Sequence, residues 1–144
     1  MTTRRERLHA ALDRALDASV QPFHGDLEKL TLANNDFRRV IFTGRHEQIV
    51  LMSLKPGENT GNEVHPSTDQ FFRIEQGTAE FTLGNGREVF ELHDGGAAVV
   101  PAGTWHDVKN AGTRELKLYT IYAPPKHPAG TVERTKREAA EREK

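Results

Sequence analysis

The sequence predicts an all-β domain, a small barrel or sandwich, with helical segments only towards its two ends. Three observations support this fold class. Short runs rich in β-branched and aromatic residues recur between about residues 27 and 122, turn signals separate them, and no long helical pattern lies between them. A parallel α/β sheet, which needs a helix between successive strands, is therefore disfavoured.

The N-terminal segment, residues 1–24, is predicted to hold an amphipathic helix and a connector. Within residues 3–18, Leu8, Leu12 and Leu16 recur at every fourth position and form one apolar stripe, while Arg, Glu and Asp occupy the other faces. Such a stripe must be covered, so we expect it to pack against the barrel or a partner subunit.

The β-domain is assigned to residues 25–124. Turn signals of the Lys-Pro-Gly, Asn-Gly, Asp-Gly-Gly and Asn-Ala-Gly type separate seven strand candidates, FRRVIFT, EQIVLMSL, QFFRIEQ, AEFTL, REVFEL, AAVVPA and ELKLYTIY. The segment FTLGNGREVF predicts a hairpin around Asn85 and Gly86. Residues 125–144 are predicted to form a Pro-rich turn and a short charged C-terminal helix or tail, since proline interrupts a sheet and TVERTKREAAEREK favours helix. We expect one structural domain in all.

The composition excludes several classes of protein. The 144 residues include 20 Lys and Arg against 21 Asp and Glu, so the chain lacks the basic excess of a nucleic-acid binder. It has no cysteine, which leaves only oxygen and nitrogen ligands for a metal. No apolar run approaches the roughly 18 residues of a membrane span, and the charged N-terminus lacks the apolar core of a signal peptide. We expect a cytoplasmic protein with no nucleic-acid or membrane partner.

Two polar segments interrupt the strand pattern. In GENTGNEVHPSTDQ, Glu63 and His65 stand two residues apart, so in extended chain their side chains share one face. A buried carboxylate is costly unless it is paired or bound to a metal. Gln70 would begin the next strand with Phe72 on its face, and His106 begins another strand after a tight turn in VVPAGTWHD.

These segments resemble the two motifs of the cupin superfamily. The first cupin motif runs Gly, five residues, His-x-His, three or four residues, Glu, six residues, Gly. This chain has the same spacing, with Glu in place of the first His and Gln in place of the Glu, at Gly57, Glu63, His65, Gln70 and Gly77. The second motif is matched at every position, by Gly95, Pro101, Gly103, His106 and Asn110. The resemblance covers roughly residues 37 to 122 and is closest to small bacterial single-domain cupins, some of them loosely labelled mannose-6-phosphate isomerase-like.

The resemblance implies a double-stranded β-helix, a jelly-roll-like barrel, with metal ligands at Glu63, His65, Gln70 and His106. Whether Gln70 binds a metal directly or hydrogen-bonds a bound water or substrate stays open. Imidazole with carboxylate suits one divalent transition metal, Fe, Mn, Ni, Zn, Co or Cu. Phe72 and Tyr122 are candidates to line a substrate pocket.

The resemblance therefore implies a mononuclear metal-binding cupin. Our main hypothesis is a metalloenzyme acting on a small polar organic substrate by dioxygenase-, isomerase- or lyase-type chemistry, with Glu63 as the candidate catalytic base. The alternative is a non-catalytic cupin that binds or senses a small ligand and has a vestigial metal site. The family also implies a homodimer. The remaining histidines match no ligand spacing and are interpreted as surface or loop residues, and Trp105 as packing away from the metal; these histidines are His9, His24, His46, His93 and His127.

Overall fold

The structure, a computed structural model, describes residues 3–7 and 21–142. Residues 4–7 are helical, but Leu8, Leu12 and Leu16 lie outside the described residues, so the predicted leucine stripe stays a prediction. The elements that follow are α1 Leu27–Ala33, β1 Arg38–Thr43, β2 Gln48–Leu54, β3 Asp69–Gln76, β4 Ala79–Leu83, β5 Glu88–Leu92, β6 Ala97–Val100, β7 His106–Asn110, β8 Leu116–Ala123, β9 Val132–Glu133 and α2 Lys136–Arg142.

The strands form two antiparallel sheets that confirm the predicted all-β, double-stranded β-helix. The larger sheet has the order β6-β3-β8-β2-β1-β9, and the smaller has the order β5-β4-β7. The predicted hairpin is also confirmed: β4 and β5 pair in antiparallel fashion up to Leu83 and Glu88. Asn85 at its tip has φ 56°, a left-handed conformation that Asn adopts more readily than most residues.

The hydrophobic core lies between the inner faces of the two sheets. Along β3, Phe72 and Ile74 alternate with more exposed residues, and Phe72 packs edge-on against Phe81 of β4 with 5.2 Å between ring centroids. Leu118 of β8 and Val108 of β7 complete the centre of this core without measurable exposure. Each side chain of this kind contributes about 1.5–3 kcal/mol by leaving water.

Two elements were not predicted. Helix α1 precedes the first strand. The Asp26 side chain caps it by accepting a hydrogen bond from the Lys29 backbone N–H at 3.0 Å. Strand β9 follows the Pro-rich turn and pairs with β1, placing Glu133 opposite Arg38. The C-terminal helix α2 is rich in charged residues, yet its Ala139 is buried in the core. Among the described residues, no helix has the length and apolar character needed to cross a membrane.

Candidate metal centre

The two halves of the candidate site are joined by backbone hydrogen bonds. Glu63 was expected in extended chain, but it lies in the loop between β2 and β3 and outside any regular strand. It forms an isolated antiparallel bridge with His106 at the start of β7. The Glu63 N–H donates to the His106 carbonyl at 2.8 Å, and the His106 N–H donates back at 2.8 Å. This bridge fixes the loop, so the motif that precedes β3 and the motif that begins β7 meet at one end of the barrel.

Glu63, His65 and His106 come together as the sequence predicted. One ligand atom from each lies within 4.8 Å of the other two, a separation that could hold a metal ion. Both histidines are buried, with relative exposures of 5% for His65 and 4% for His106. The Glu63 side chain keeps 33% exposure, and its Oε2 lies 3.5 Å from His65 Nε2. The carboxylate is thus the member of the group that also faces outward.

The fourth predicted ligand, Gln70, lies beside this group at the start of β3. Its Nε2 donates to the Thr120 hydroxyl at 2.9 Å, which turns its Oε1 the other way. Gln70, Glu63 and His106 all line one small internal void. Within the part of the chain that the structure describes, Gln70 Oε1 and His65 Nε2 are buried and have no hydrogen-bond partner. Leaving such atoms unsatisfied costs about 1–3 kcal/mol each, so their burial together needs an explanation.

The tautomer of His106 is set by its surroundings. Its Nδ1 lies 3.0 Å from the backbone carbonyl of Thr104. A carbonyl oxygen only accepts, so Nδ1 carries a proton, and in the neutral tautomer of the ring the lone pair lies on Nε2. A backbone carbonyl on the distal nitrogen is the arrangement that orients metal-binding histidines.

The chemistry of these donors fits a divalent transition metal. Glu63, His65 and His106 offer one carboxylate and two imidazoles, and Gln70 adds a neutral amide oxygen that accepts no hydrogen bond of ordinary geometry among the described residues. The carboxylate contributes one negative charge. Burial, followed by the charges of His106 and Lys126, lowers the pKa of His65 to about 4, so its imidazole is neutral and able to ligate at neutral pH.

Phe72 and Tyr122, the predicted pocket residues, lie at the floor of the site. Both are buried, at 1% and 2% exposure, and both line the small void. The Phe72 ring lies 6.1 Å from the His106 ring, and the Tyr122 ring lies 5.7 Å from the His65 ring. Burial raises the pKa of Tyr122 to about 12, so its phenol keeps its proton at neutral pH.

One buried ion pair at the floor was missed at the level of sequence. Arg38 Nη1 lies 2.6 Å from Glu133 Oε1, with side-chain exposures of 4% and 5%. Arg38 also lines the small void with Tyr122. A signal for Arg38 existed, because alternation along FRRVIFT places it on the same buried face as Val40. Glu133 carried no such signal, since β9 is only two residues long.

An open cleft of 590 Å³ leads outward from the candidate metal centre. Its walls include Glu63 and His65 from the first motif, and also Trp105, Lys126 and His127. The sequence interpretation of His127 as an ordinary loop residue is therefore incomplete, because burial lowers its pKa to about 3 and its ring packs edge-on against Tyr122 at 5.1 Å. Trp105 was expected to pack away from the site, but it is 41% exposed at the wall of this cleft.

Comparisons with known proteins agree with the fold. A family model described as "Cupin domain" matches residues 50–122. The crystal structure of BH2720 from Bacillus halodurans is 47% identical, has a TM-score of 0.83, and is matched over 84% of this chain and 95% of that chain.

Two curated relatives are similar over most of the chain. The uncharacterized protein YrkC of Bacillus subtilis is 48% identical over 127 residues, which is 85% of this chain and 68% of YrkC. The uncharacterized protein L612 of Acanthamoeba polyphaga mimivirus is 49% identical over 105 residues, which is 72% of this chain and 66% of L612. The chain spans about two thirds of the length of these two relatives.

Proposed function

Because the chain belongs to the cupin family, as the match over residues 50–122 shows, we propose that it is a mononuclear metalloenzyme acting on a small polar organic substrate. The observation that carries this proposal is the convergence of Glu63, His65 and His106, whose ligand atoms lie within 4.8 Å of one another. The buried Gln70 Oε1 beside them supports the same conclusion, because it makes no hydrogen bond of ordinary geometry with any of the described residues.

Glu63, His65 and His106 would hold the metal, with Gln70 Oε1 as a fourth donor. A bound divalent ion would supply Lewis-acid polarisation of substrate oxygen atoms or, if it is Fe(II), the oxygen chemistry typical of sites with two histidines and one carboxylate. The reaction class we propose is accordingly of the dioxygenase, isomerase or lyase type.

Glu63 is the proposed catalytic base. Its carboxylate lines both the internal void and the open cleft, and is one third exposed (33%), whereas both histidines are buried. It is therefore the most exposed of the three ligands towards a substrate in the cleft, and it can take a proton from a substrate C–H or O–H group. Phe72 and Tyr122 line the small void behind it rather than the open cleft.

Metal content of the purified protein is the first test. We expect about one transition metal ion per chain by mass spectrometry, and its loss in His65→Ala and His106→Ala. His46→Ala, at an exposed histidine outside the site, is the matched control and should keep the metal. Far-UV circular dichroism should show that all variants keep their β structure. Stoichiometric metal in folded His106→Ala would contradict the assignment of the site.

A specific observation favours the alternative of a non-catalytic cupin that binds or senses a small ligand. The pKa of Tyr122 is raised to about 12 and that of His127 is lowered to about 3, so neither is matched to proton transfer near neutral pH. A turnover screen of the metal-loaded protein over sugars, β-diketones and catechols separates the two functions. An enzyme should show turnover that Glu63→Gln abolishes, and a binding module should show none. From the family resemblance we further propose a homodimer located in the cytoplasm.

A further inference from the structure

The loop after β8, residues 124–130, is held by a buried glutamine; we refer to it as the anchored loop. Gln48, at the start of β2, has no measurable exposure. Its Oε1 accepts from the backbone N–H groups of Lys126 at 3.2 Å and His127 at 3.0 Å. Its Nε2 donates to the His127 carbonyl at 2.7 Å and to the Thr43 hydroxyl at 2.9 Å. Both amide protons and the amide oxygen are thus used, and the loop is fixed in place.

The anchored loop presents two side chains to the open cleft. Lys126 and His127 lie across it from Glu63 and His65 of the candidate metal centre. The His127 ring is held against Tyr122, whereas Lys126 is exposed.

The charges around the cleft do not cancel when a divalent ion is bound. Arg38 is balanced by Glu133 at 2.6 Å. The carboxylate of Glu63 offsets one of the two charges of the ion. The remaining charge of the ion and that of Lys126 leave the cleft positive, which favours an anionic ligand.

We propose that the anchored loop is a substrate-recognition element and that Lys126 binds a carboxylate of a small organic acid. This rests on the proposed function, since the Glu63–His65–His106 group would hold the metal that engages the other end of the same molecule. The exposed indole of Trp105 provides an apolar wall for the carbon chain between the two ends. A carboxylate fits better than a phosphate, because phosphate sites gather several donors or a forked arginine, and here one lysine is available.

The test compares two five-carbon 2-oxo acids that differ only at the far end. One is 2-oxoglutarate, which ends in a carboxylate, and the other is 2-oxopentanoate, which ends in a methyl group. Isothermal titration of the wild-type protein should show 2-oxoglutarate binding about tenfold more tightly, as expected for one charge-assisted hydrogen bond. Lys126→Met should remove this preference, and Lys126→Arg should keep it.

Two further variants separate recognition from general damage. Lys55→Met, at an exposed lysine near Glu115 and outside the cleft, is the matched control and should keep the tenfold preference. Gln48→Ala should weaken the preference without changing metal content, because Lys126 is retained but its backbone loses its anchor. A weaker preference with unchanged metal content would show that Gln48 positions the loop and does not take part in metal binding.

Equal affinities for the two acids, no measurable binding of either, or a preference that survives Lys126→Met would overturn the proposal. Metal content is measured on the same samples, so the proposed function is judged separately. A protein that takes up no metal would contradict the metalloenzyme, and the recognition element that rests on it would fall with it. A metal-loaded protein with no preference would leave the metal site standing and remove the recognition element.

Discussion

Two groups of polar side chains are buried in this small barrel, and they are completed in different ways. On the outer face of the larger sheet, the Lys117 ammonium donates to the Asn34 carbonyl, to Asn35 Oδ1 at 3.0 Å and to Ser53 Oγ at 3.0 Å, and it pairs with Glu115 Oε2 at 2.9 Å. Its three N–H donors are all used. We call this group the Lys117 cluster.

The candidate metal centre, on the inner side, differs in being unsaturated. Within the described residues, His65 Nε2 and Gln70 Oε1 are buried and make no hydrogen bond of ordinary geometry. Both clusters cost free energy to bury, but only the Lys117 cluster recovers it within the chain. The two clusters therefore have different roles. The Lys117 cluster, whose hydrogen bonds are complete, ties the end of α1 to β2 and β8. The candidate metal centre, whose hydrogen bonds are incomplete, converges on a point where a ligand can bind.

Lys117→Met should give the largest loss of stability. Methionine keeps most of the volume, but the Asn34 carbonyl and the Ser53 hydroxyl lose their buried donor, and Glu115 loses the hydrogen bond and charge that lower its pKa. We expect the free energy of unfolding to fall by about 3 kcal/mol. Urea denaturation measures this, and metal content should be unchanged.

The control for this substitution is Lys55→Met, at an exposed lysine, which should change the free energy of unfolding by less than about 0.5 kcal/mol. If Lys117→Met is equally mild, the cluster contributes little and saturation is not what distinguishes it. If it also loses metal, the two clusters are coupled through β8 and cannot be treated as separate.

The sequence predicts the candidate site better than it predicts the surroundings of that site. Gln70 and Phe72 follow the alternation of a half-buried strand, and the motif spacing brings Glu63 and His65 towards His106 across forty residues of chain. Period and motif are local signals, and here the local signals agree with the fold. The proposed ligand group could therefore be predicted from the sequence alone.

What the sequence missed depends on contacts between distant residues. Arg38 and Glu133 are 95 positions apart, and their pairing follows from a two-residue strand that no periodicity can reveal. Lys126 and His127 lie in a Pro-rich loop, where alternation does not apply, and the buried Gln48 that fixes them is 79 positions from His127. Helix α1 is only seven residues long, too short for a helical period to be distinguished.

The candidate metal centre should make the metal-free protein sensitive to acid, with a smaller effect than the loss of Lys117. The pKa of His65 is lowered to about 4, from an ordinary value of 6.5. Between these values the unfolded chain binds more protons, so stability is complete above about pH 6.5 and is lost as the pH falls towards 4. We expect a loss on the order of 2 kcal/mol over this window by urea denaturation.

His65→Gln should flatten this pH dependence, because the variant has no imidazole to protonate at that position. His127→Gln should flatten it further towards low pH, since the pKa of His127 is lowered to about 3. A wild-type profile that is flat between pH 6.5 and 4, or one that His65→Gln leaves as steep as before, would show that His65 is not held neutral by burial.

Gln70→Met should have the smallest effect on stability and a measurable effect on metal affinity, the reverse of Lys117→Met. The substitution removes a buried oxygen that makes no hydrogen bond of ordinary geometry among the described residues, together with the hydrogen bond to Thr120 at 2.9 Å, so the metal-free protein should change by less than about 1 kcal/mol. Metal affinity, measured by competition with a chromogenic chelator, should fall about tenfold. Gln70→Glu should raise it by adding a negative charge to the same donor position. Unchanged affinity in both variants would mean that the amide oxygen neither binds the metal nor supports a ligand to it, and the unsaturated cluster would shrink to Glu63, His65 and His106.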